Sequence, residues 1–205
     1  DNLFKSALVM LITFELAAQA GLDGPILVTA AAGIFIAPFF LFSAWAGQVA
    51  DRFDKARIAQ AIKFAEIVIM GGATLAFYIG DPWVLMAILF LMGTQSALFG
   101  PVKYSILPQH LSADELISGN ALVSGGTFLA ILIGTIAGGL LIMTDAGIAI
   151  VSALVVGIAL LGFAASMFIP TAPAASPDLQ LTPNLFAGTA GMMRHAASRR
   201  DVFLS

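Results

Sequence analysis

Five charged residues crowd into the seven positions from Asp51 to Arg57. Asp51, Arg52, Asp54, Lys55 and Arg57 stand together there, in a chain that is 60% hydrophobic and 10% charged. So dense a cluster predicts a loop that water reaches, in which Asp51 can pair with Arg52 or Arg57 or bind the end of a neighbouring helix. The plainer alternative is a solvated anchor that only fixes the orientation of the chain in a membrane.

A second polar group, Asp1, Asn2 and Lys5, opens the first apolar stretch. Asp1 and Lys5 are four residues apart, so they share a helix face and are placed to pair. A Lys among apolar residues is costly in lipid and normally faces a bundle interior or a cavity. The alternative is a wet, frayed helix end. Glu15 is expected near the outer surface in a structural role.

Lys63 and Glu66 are three residues apart on a later apolar stretch, which predicts a pair on one helix face. Lys63 can instead snorkel to the membrane surface. We interpret Glu66 as an interhelical hydrogen-bond partner rather than as a proton carrier.

Lys103 and Tyr104 lie between two prolines, Pro101 and Pro108, which interrupt regular helical bonding. A broken helix inside a membrane bundle often lines a transport pathway. Lys103 is then a point charge suited to a phosphate, with Tyr104 as an interfacial anchor. The alternative is a Lys that snorkels at the membrane edge.

Gly134 and Gly138, with the adjacent Gly139, follow the spacing that lets two helices approach closely in lipid. We interpret these three glycines as helix-packing residues.

Several classes of site find no support. The sequence has no Cys, and His110 and His195 are isolated. No metal-ligand set, Ser-His-Asp arrangement or phosphate loop is evident. We therefore predict no catalytic residues, no metal and no cofactor, and we expect no nucleic-acid partner.

The composition requires lipid as the solvent for most of the chain, since soluble domains carry roughly a quarter charged residues. The mean hydropathy is +0.99. Six apolar stretches, each near the ~20 residues that span a bilayer, predict an all-α membrane protein with a six-transmembrane-helix bundle. They cover about 1–18, 25–50, 58–79, 82–107, 116–143 and 147–169. The first stretch looks truncated, and a chain that starts at Asp1 without Met suggests a fragment or a processed form.

Charge asymmetry between the loops predicts the orientation. The loops near Asp23, Asp81 and Asp145 hold no Lys or Arg, whereas the Asp51–Arg57 loop, the Lys103–Glu115 loop and the tail with Arg194, Arg199 and Arg200 all hold them. The positive-inside rule places these Lys- and Arg-containing regions in the cytoplasm.

The last part of the chain changes character. We divide the chain into a transmembrane bundle at 1–169 and a cytoplasmic linker at 170–205. Pro170, Pro173 and Pro177 predict an extended, mobile segment. Thr182-Pro183 resembles a helix start, and the residues after it suggest an amphipathic helix on the inner leaflet.

The spacing Gly47-x-x-x-Asp51-Arg52, with Arg57 beyond it, resembles the signature loop of the major facilitator superfamily of transporters. In that family the loop joins the second and third helices and latches two six-helix halves together when the outside is open. The resemblance implies that Gly47 permits close helix packing, that Asp51 is the latch carboxylate, and that Arg52 and Arg57 are its cationic partners. Asp54 stands where the family usually has Gly. Without the other half, we expect these charges to face solvent or each other.

Further motifs occur in a fixed order along the chain: Asp1-Asn2 with Lys5, the loop, Pro101-x-Lys103-Tyr104-x-x-Leu107-Pro108, Ser118-Gly119-Asn120-Ala121-Leu122 and Gly134-x-x-x-Gly138-Gly139. Together they resemble the lysophospholipid transporter branch of the superfamily. Bacterial members of that branch are sometimes fused to a lysophospholipid acyltransferase. The resemblance implies that the substrate-binding residues are Asp1, Asn2, Lys5, Lys103, Tyr104 and Asn120, and that the gating loop comprises Gly47, Asp51, Arg52, Lys55 and Arg57.

We therefore expect the amino-terminal six-helix half of a facilitator-type transporter that moves lysophospholipid across a bacterial inner membrane. Its partners are membrane lipid, a carboxy-terminal half and a fused or associated acyltransferase. One alternative is a facilitator-type exporter of drug-like or sugar-like solutes. Another is a membrane-embedded lipid enzyme, which would need a catalytic constellation.

Overall fold

Six helices, numbered α1 to α6, build the part of the chain that the computed structural model describes, residues 1–21 and 23–181. α1 begins as Asn2–Leu11, continues through the π-helical segment Ile12–Leu16 and ends as Ala17–Ala20. The others are α2 (Gly24–Arg52), α3 (Lys55–Ile79), α4 (Pro82–Ser105), α5 (Leu116–Leu141) and α6 (Gly147–Ser166), with a short helix, Leu107–His110, between α4 and α5.

The predicted all-α membrane fold is confirmed. Helices α2 to α6 are each long and apolar enough to cross a membrane. No strand occurs in residues 1–21 and 23–181. The observed bounds follow the apolar stretches closely, although α6 ends at Ser166, three residues earlier than the sequence suggests.

Aspartates start three of the helices. The carboxylate of Asp23 accepts a hydrogen bond from the Ile26 amide at 3.0 Å, and Asp54 and Asp81 accept two amides each at the starts of α3 and α4. These side chains satisfy amides that a helix start leaves without partners. Gly80 ends α3 with a φ of +70°, a conformation that favours glycine.

The helices pack in pairs: α1 on α5, α2 on α4, and α3 on both α6 and α4. Exchanging the first three helices for the last three, in order, maps α1–α5 onto α4–α2 and α3–α6 onto itself, whereas α3–α4 maps onto the less extensive α6–α1 contact. Such a pattern is expected of the paired three-helix repeats from which many transporters are built. The bundle core lies along α1 and α4, where Phe4, Leu8, Leu85 and Leu89 are fully buried.

The bundle has two distinct ends. The acidic end holds the turns that lead into α2, α4 and α6, and the basic end holds the turns that lead into α3 and α5. Among the described residues, the acidic end carries Asp23, Asp81 and Asp145 with no Lys or Arg. The basic end is named for its cations, Arg52, Lys55, Arg57 and Lys103, which lie beside the carboxylates of Asp51, Asp54, Asp114 and Glu115.

Candidate functional site

The predicted gating loop lies at the basic end, where α2 stops at Arg52 and α3 starts at Lys55. Asp54 caps α3: its carboxylate accepts the amides of Ala56 at 2.9 Å and Arg57 at 3.2 Å. Asp54, which stands where the resembled loop usually has Gly, therefore serves as a helix cap.

The charges of this loop do not pair with one another in the described residues. Asp51 and Arg57 face solvent, and the Arg52 guanidinium lies 5.4 Å from the centre of the Phe53 ring. A Cβ at Gly47 would meet no atom within 4 Å, so the described residues give Gly47 no close packing partner.

Lys55 is the exception to the exposed loop. Its side chain is 2% exposed, and its Nζ has no hydrogen-bond partner in the part of the chain described. The Lys55 amide donates to the carbonyl of Ala172 at 2.9 Å, and Ala172 is fully buried. The segment that follows α6 therefore passes directly over the start of α3.

That segment, residues 170–181, contacts both basic-end connections. The Ser176 amide donates to the Asp51 carbonyl at 2.8 Å. Gln109, in the connection between α4 and α5, donates from its Nε2 to the Pro173 carbonyl at 3.0 Å. The segment has no helix, and in these residues it is docked across the basic end. The suggested amphipathic helix and the three tail arginines lie outside the described residues.

The start of α1 touches three helices. The Asp1 carboxylate accepts a hydrogen bond from Ser96 Oγ on α4 at 2.7 Å, and Lys5 Nζ lies 4.8 Å from the centre of the Phe35 ring on α2. Asn2 lies against α5, where a Cβ on Gly134 would come within 3.5 Å of the Asn2 Cβ. The predicted pairing of Asp1 with Lys5 is not formed within residues 1–21 and 23–181, because each side chain has found a different helix.

Lys103 bridges α4 and α5. Its Nζ donates to Thr127 Oγ1 at 3.0 Å and lies 4.8 Å from the centre of the Tyr104 ring. Ser96 is seven residues before Lys103, so the two share a face of α4, and Asn120 shares a face of α5 with Thr127 by the same spacing. The exposed Asn120 donates to its own helix, at the Leu116 carbonyl.

We call the polar residues of these two faces, Asp1, Ser96, Lys103, Thr127 and Asn120, the polar track. At about 1.5 Å per residue, Ser96 and Lys103 stand about 10 Å apart along α4. The track therefore contains three of the predicted substrate-binding residues, Asp1, Lys103 and Asn120, while the Lys5 side chain of α1 lies to one side, against Phe35 of α2.

An ionic network between α3 and α4 lies next to the polar track. Lys63 Nζ lies 2.7 Å from Glu66 Oε2, and the same oxygen accepts Gln95 Nε2 of α4 at 2.9 Å. Ser96 Oγ, whose single proton goes to Asp1 at 2.7 Å, lies 3.3 Å from Gln95 Oε1, so this network ends next to the Asp1–Ser96 bond. Two predictions are confirmed: Lys63 pairs with Glu66, and Glu66 is an interhelical partner.

The three glycines of α5 lie against α1. A Cβ on Gly138 would collide with the Leu3 carbonyl, one on Gly134 would come within 3.2 Å of the Leu3 amide, and one on Gly139 within 3.4 Å of Ser6 Oγ. Ser6 Oγ donates to the Thr135 carbonyl at 2.8 Å across the same contact. This close crossing holds the start of α1, and with it Asp1, in place.

Comparison with known proteins assigns the chain to a family. The model of the family described as "transmembrane secretion effector", one of the facilitator families, matches residues 17–203. The chain belongs to the major facilitator superfamily. It is a multi-pass membrane protein of a transporter family rather than of an enzyme family.

Several facilitator relatives carry the name lysophospholipid transporter LplT. The relative from Enterobacter sp. (strain 638) is 35% identical over 149 residues, which are 70% of this chain and 34% of the relative. Those from Pectobacterium carotovorum subsp. carotovorum (strain PC1) and Klebsiella pneumoniae (strain 342) are 32% and 31% identical, covering 80% and 81% of this chain. The chain spans 34 to 41% of these relatives' length. The predicted superfamily is confirmed. These relatives carry the name of the predicted branch, the lysophospholipid transporters.

The contacts of Gln95, Ser96 and Gly93 were not predicted from the sequence of this facilitator chain. The polar contacts could have been, because Thr94-Gln95-Ser96 is a run of three polar residues inside an apolar helix. Gly93 has no spacing motif, yet a Cβ there would collide with the Phe35 carbonyl of α2. The α2–α4 crossing therefore depends on a close approach much as the α1–α5 crossing does.

Proposed function

We propose that this chain is the amino-terminal six-helix half of a transporter that moves lysophospholipid across a bacterial inner membrane by alternating access. The observation that carries the proposal is the polar track, which runs through an otherwise apolar bundle in a chain similar to lysophospholipid transporters. A lysophospholipid needs a polar route for its headgroup and an apolar one for its acyl chain.

The track supplies the headgroup route. Lys103 is a compact cation suited to the phosphate, and its bond to Thr127 holds the ammonium between α4 and α5. Asp1, Asn2 and Lys5 extend the polar surface at the start of α1, with Tyr104 and Asn120 near its other end. The exposed apolar side chains of α5, such as Leu122, Phe128 and Leu129, offer a surface for the acyl chain.

The basic end is placed in the cytoplasm by the positive-inside rule. There the gating loop of Asp51, Arg52, Lys55 and Arg57 latches onto a carboxy-terminal half, which supplies the partners that its exposed charges lack here. An acyltransferase, fused or associated on that side, would restore the second acyl chain of the delivered lipid.

Uptake of radiolabelled lysophospholipid by spheroplasts that carry the full-length protein tests the proposal. Lys103→Met should lower uptake at least tenfold, because it removes the phosphate contact, and Lys103→Arg should retain most of it. Thr127→Val is the matched control: it removes the bond to Lys103 but keeps the charge. A Lys103→Met protein that transports at the wild-type rate would sink the assignment, and equal losses in Lys103→Met and Thr127→Val would reduce Lys103 to a structural residue.

A second candidate is export of a drug-like or sugar-like solute. It is favoured by the description of the matching family as a secretion effector. Competition separates the two candidates: soluble solutes that displace lysophospholipid from the purified protein would support export, whereas displacement by lysophospholipid alone would support lipid transport.

A further inference from the structure

A cavity of about 260 Å³ opens at the acidic end, among α1, α3, α4 and α6. Its floor is apolar and fully packed, formed by Leu11, Leu16, Phe77 and Leu85, none of them more than 5% exposed. Pockets for drug-sized ligands run from about 300 to 1,000 Å³. This cavity therefore suits a small group, such as part of a headgroup, rather than a whole lipid.

Two polar side chains line the cavity, Glu15 and Tyr78. Neither the Glu15 carboxylate nor the Tyr78 hydroxyl has a hydrogen-bond or ionic partner in the described part of the chain, and both residues are exposed. The Phe77 ring is held in the core, 5.1 Å from the Phe4 ring, which leaves Tyr78 as the aromatic face available to a ligand.

The charge around the cavity has one sign. Among the described residues, the acidic end offers only carboxylates, and those of Asp23 and Asp81 are occupied as helix caps. In the described residues, Glu15 is therefore a carboxylate without a cation, and it lines the same cavity as the Tyr78 ring and the apolar floor. Carboxylates and aromatic faces together are the groups that recognise organic ammonium ions.

The π-helical segment of α1 shapes this cavity. Within it the Ala17 amide bonds to the Ile12 carbonyl, five residues earlier. Five residues in a regular α-helix turn a side chain well away from its starting face, but a π turn brings positions five apart nearly into line. Leu11 and Leu16 thus line the same cavity, with Glu15 between them.

We propose that this cavity binds an organic ammonium group through Glu15 and Tyr78. The identity of the ligand rests on the proposed function: the ammonium is the headgroup amine of a zwitterionic lysophospholipid. It binds at this end before the phosphate reaches Lys103. The site then distinguishes headgroups with an amine from headgroups without one.

The test compares two substrates in the full-length transporter. Glu15→Gln keeps the shape of the side chain and removes its charge. It should raise the half-saturating concentration of lysophosphatidylethanolamine about tenfold, a typical loss for one charge-assisted contact, and leave that of lysophosphatidylglycerol within about twofold. Tyr78→Leu should weaken the amine substrate about threefold, and Tyr78→Phe should not, because the ring remains.

Asp145→Asn is the matched control. It removes a carboxylate from the same end but not from the cavity. The proposal is overturned if Glu15→Gln weakens both lipids equally, if it weakens neither, or if Asp145→Asn reproduces its selective effect.

Direct binding separates this proposal from the proposed function. Tetramethylammonium and ethanolamine are titrated into the purified full-length protein by isothermal calorimetry. Saturable binding that Glu15→Gln abolishes supports the site even if no lysophospholipid is transported, in which case only the transport proposal fails. Transport of both lipids, with no ammonium binding and no effect of Glu15→Gln, leaves the transport proposal standing and overturns the site.

Discussion

Removal of one partner from the Lys63–Glu66 pair should destabilise the protein far more than removal of both. Glu66→Leu leaves the Lys63 ammonium without its carboxylate, and Lys63→Met leaves Glu66 with only the Gln95 amide. Breaking a buried pair in this way typically costs about 3–5 kcal/mol, whereas replacing both members by apolar residues is often neutral.

The exposure of the two side chains sets the loss of unfolding free energy expected for each variant. The Lys63 side chain is 23% exposed and its Nζ lies 5.0 Å from the centre of the Phe99 ring, so water and the ring partly compensate the ammonium. We therefore expect about 2–3 kcal/mol for Glu66→Leu, below the range for fully buried pairs. The Glu66 side chain is only 10% exposed, so Lys63→Met should cost about 3 kcal/mol. The double variant should lie within about 1 kcal/mol of the wild type.

The free energy of unfolding is measured by circular dichroism of the full-length protein in mixed micelles of dodecylmaltoside and dodecyl sulfate. With these values the double-mutant cycle should give a coupling energy of at least about 4 kcal/mol. As a control, Lys63→Met combined with the distant Asp145→Asn should be additive within about 0.5 kcal/mol. A coupling energy below about 0.5 kcal/mol for the Lys63–Glu66 cycle would show that the two side chains contribute independently to stability, and it would refute the reasoning.

Two further predictions concern α5. Gly138→Ala should destabilise the protein by about 1–3 kcal/mol, because the new methyl group meets the Leu3 carbonyl. Gly157→Ala on α6, where a Cβ meets no atom within 4 Å, should stabilise it by about 0.5–1 kcal/mol, and equal melting temperatures of the two variants would contradict this. At the start of α5, hydrogen bonds from the Ser112 amide and hydroxyl, at 3.0 and 2.8 Å, hold the pKa of Glu115 below its usual range. That stabilisation is present above the unfolded pKa and is lost as pH falls through the folded pKa, so Ser112→Ala should raise the pKa measured by carbon-13 NMR of the Glu115 carboxyl.

The helices and their ends were largely predictable from the sequence. Long apolar stretches need little more than a count of residues against bilayer thickness. The turns follow local rules, since Asp81-Pro82 supplies a cap and a first-turn proline, and Gly80 supplies the left-handed backbone before them. The Lys63–Glu66 pair is likewise local, set by a spacing of three on one helix.

The contacts between helices were not predictable in the same way. A helix in lipid is apolar all round, so its sequence does not reveal which side faces a neighbour, as the amphipathic pattern of a water-soluble helix would. Asp1 and Ser96 are 95 residues apart, and Gln95 and Glu66 are 29 apart. Only the tertiary packing of α4 decides that both of these bonds are made.

The burial of Lys55 is opposite to what the local composition predicts. A charged cluster indicates exposure, yet this ammonium is buried because residues 170–176 cross over it. Burial of a cation without a partner is unfavourable, so the buried arrangement holds only while the crossing segment stays in place. Three hydrogen bonds fix that segment, from Lys55, Ser176 and Gln109, each worth about 0.5–1.5 kcal/mol. Under the proposed alternating access, opening of the basic end must therefore break these bonds and expose Lys55, which couples the gating loop to the segment after α6.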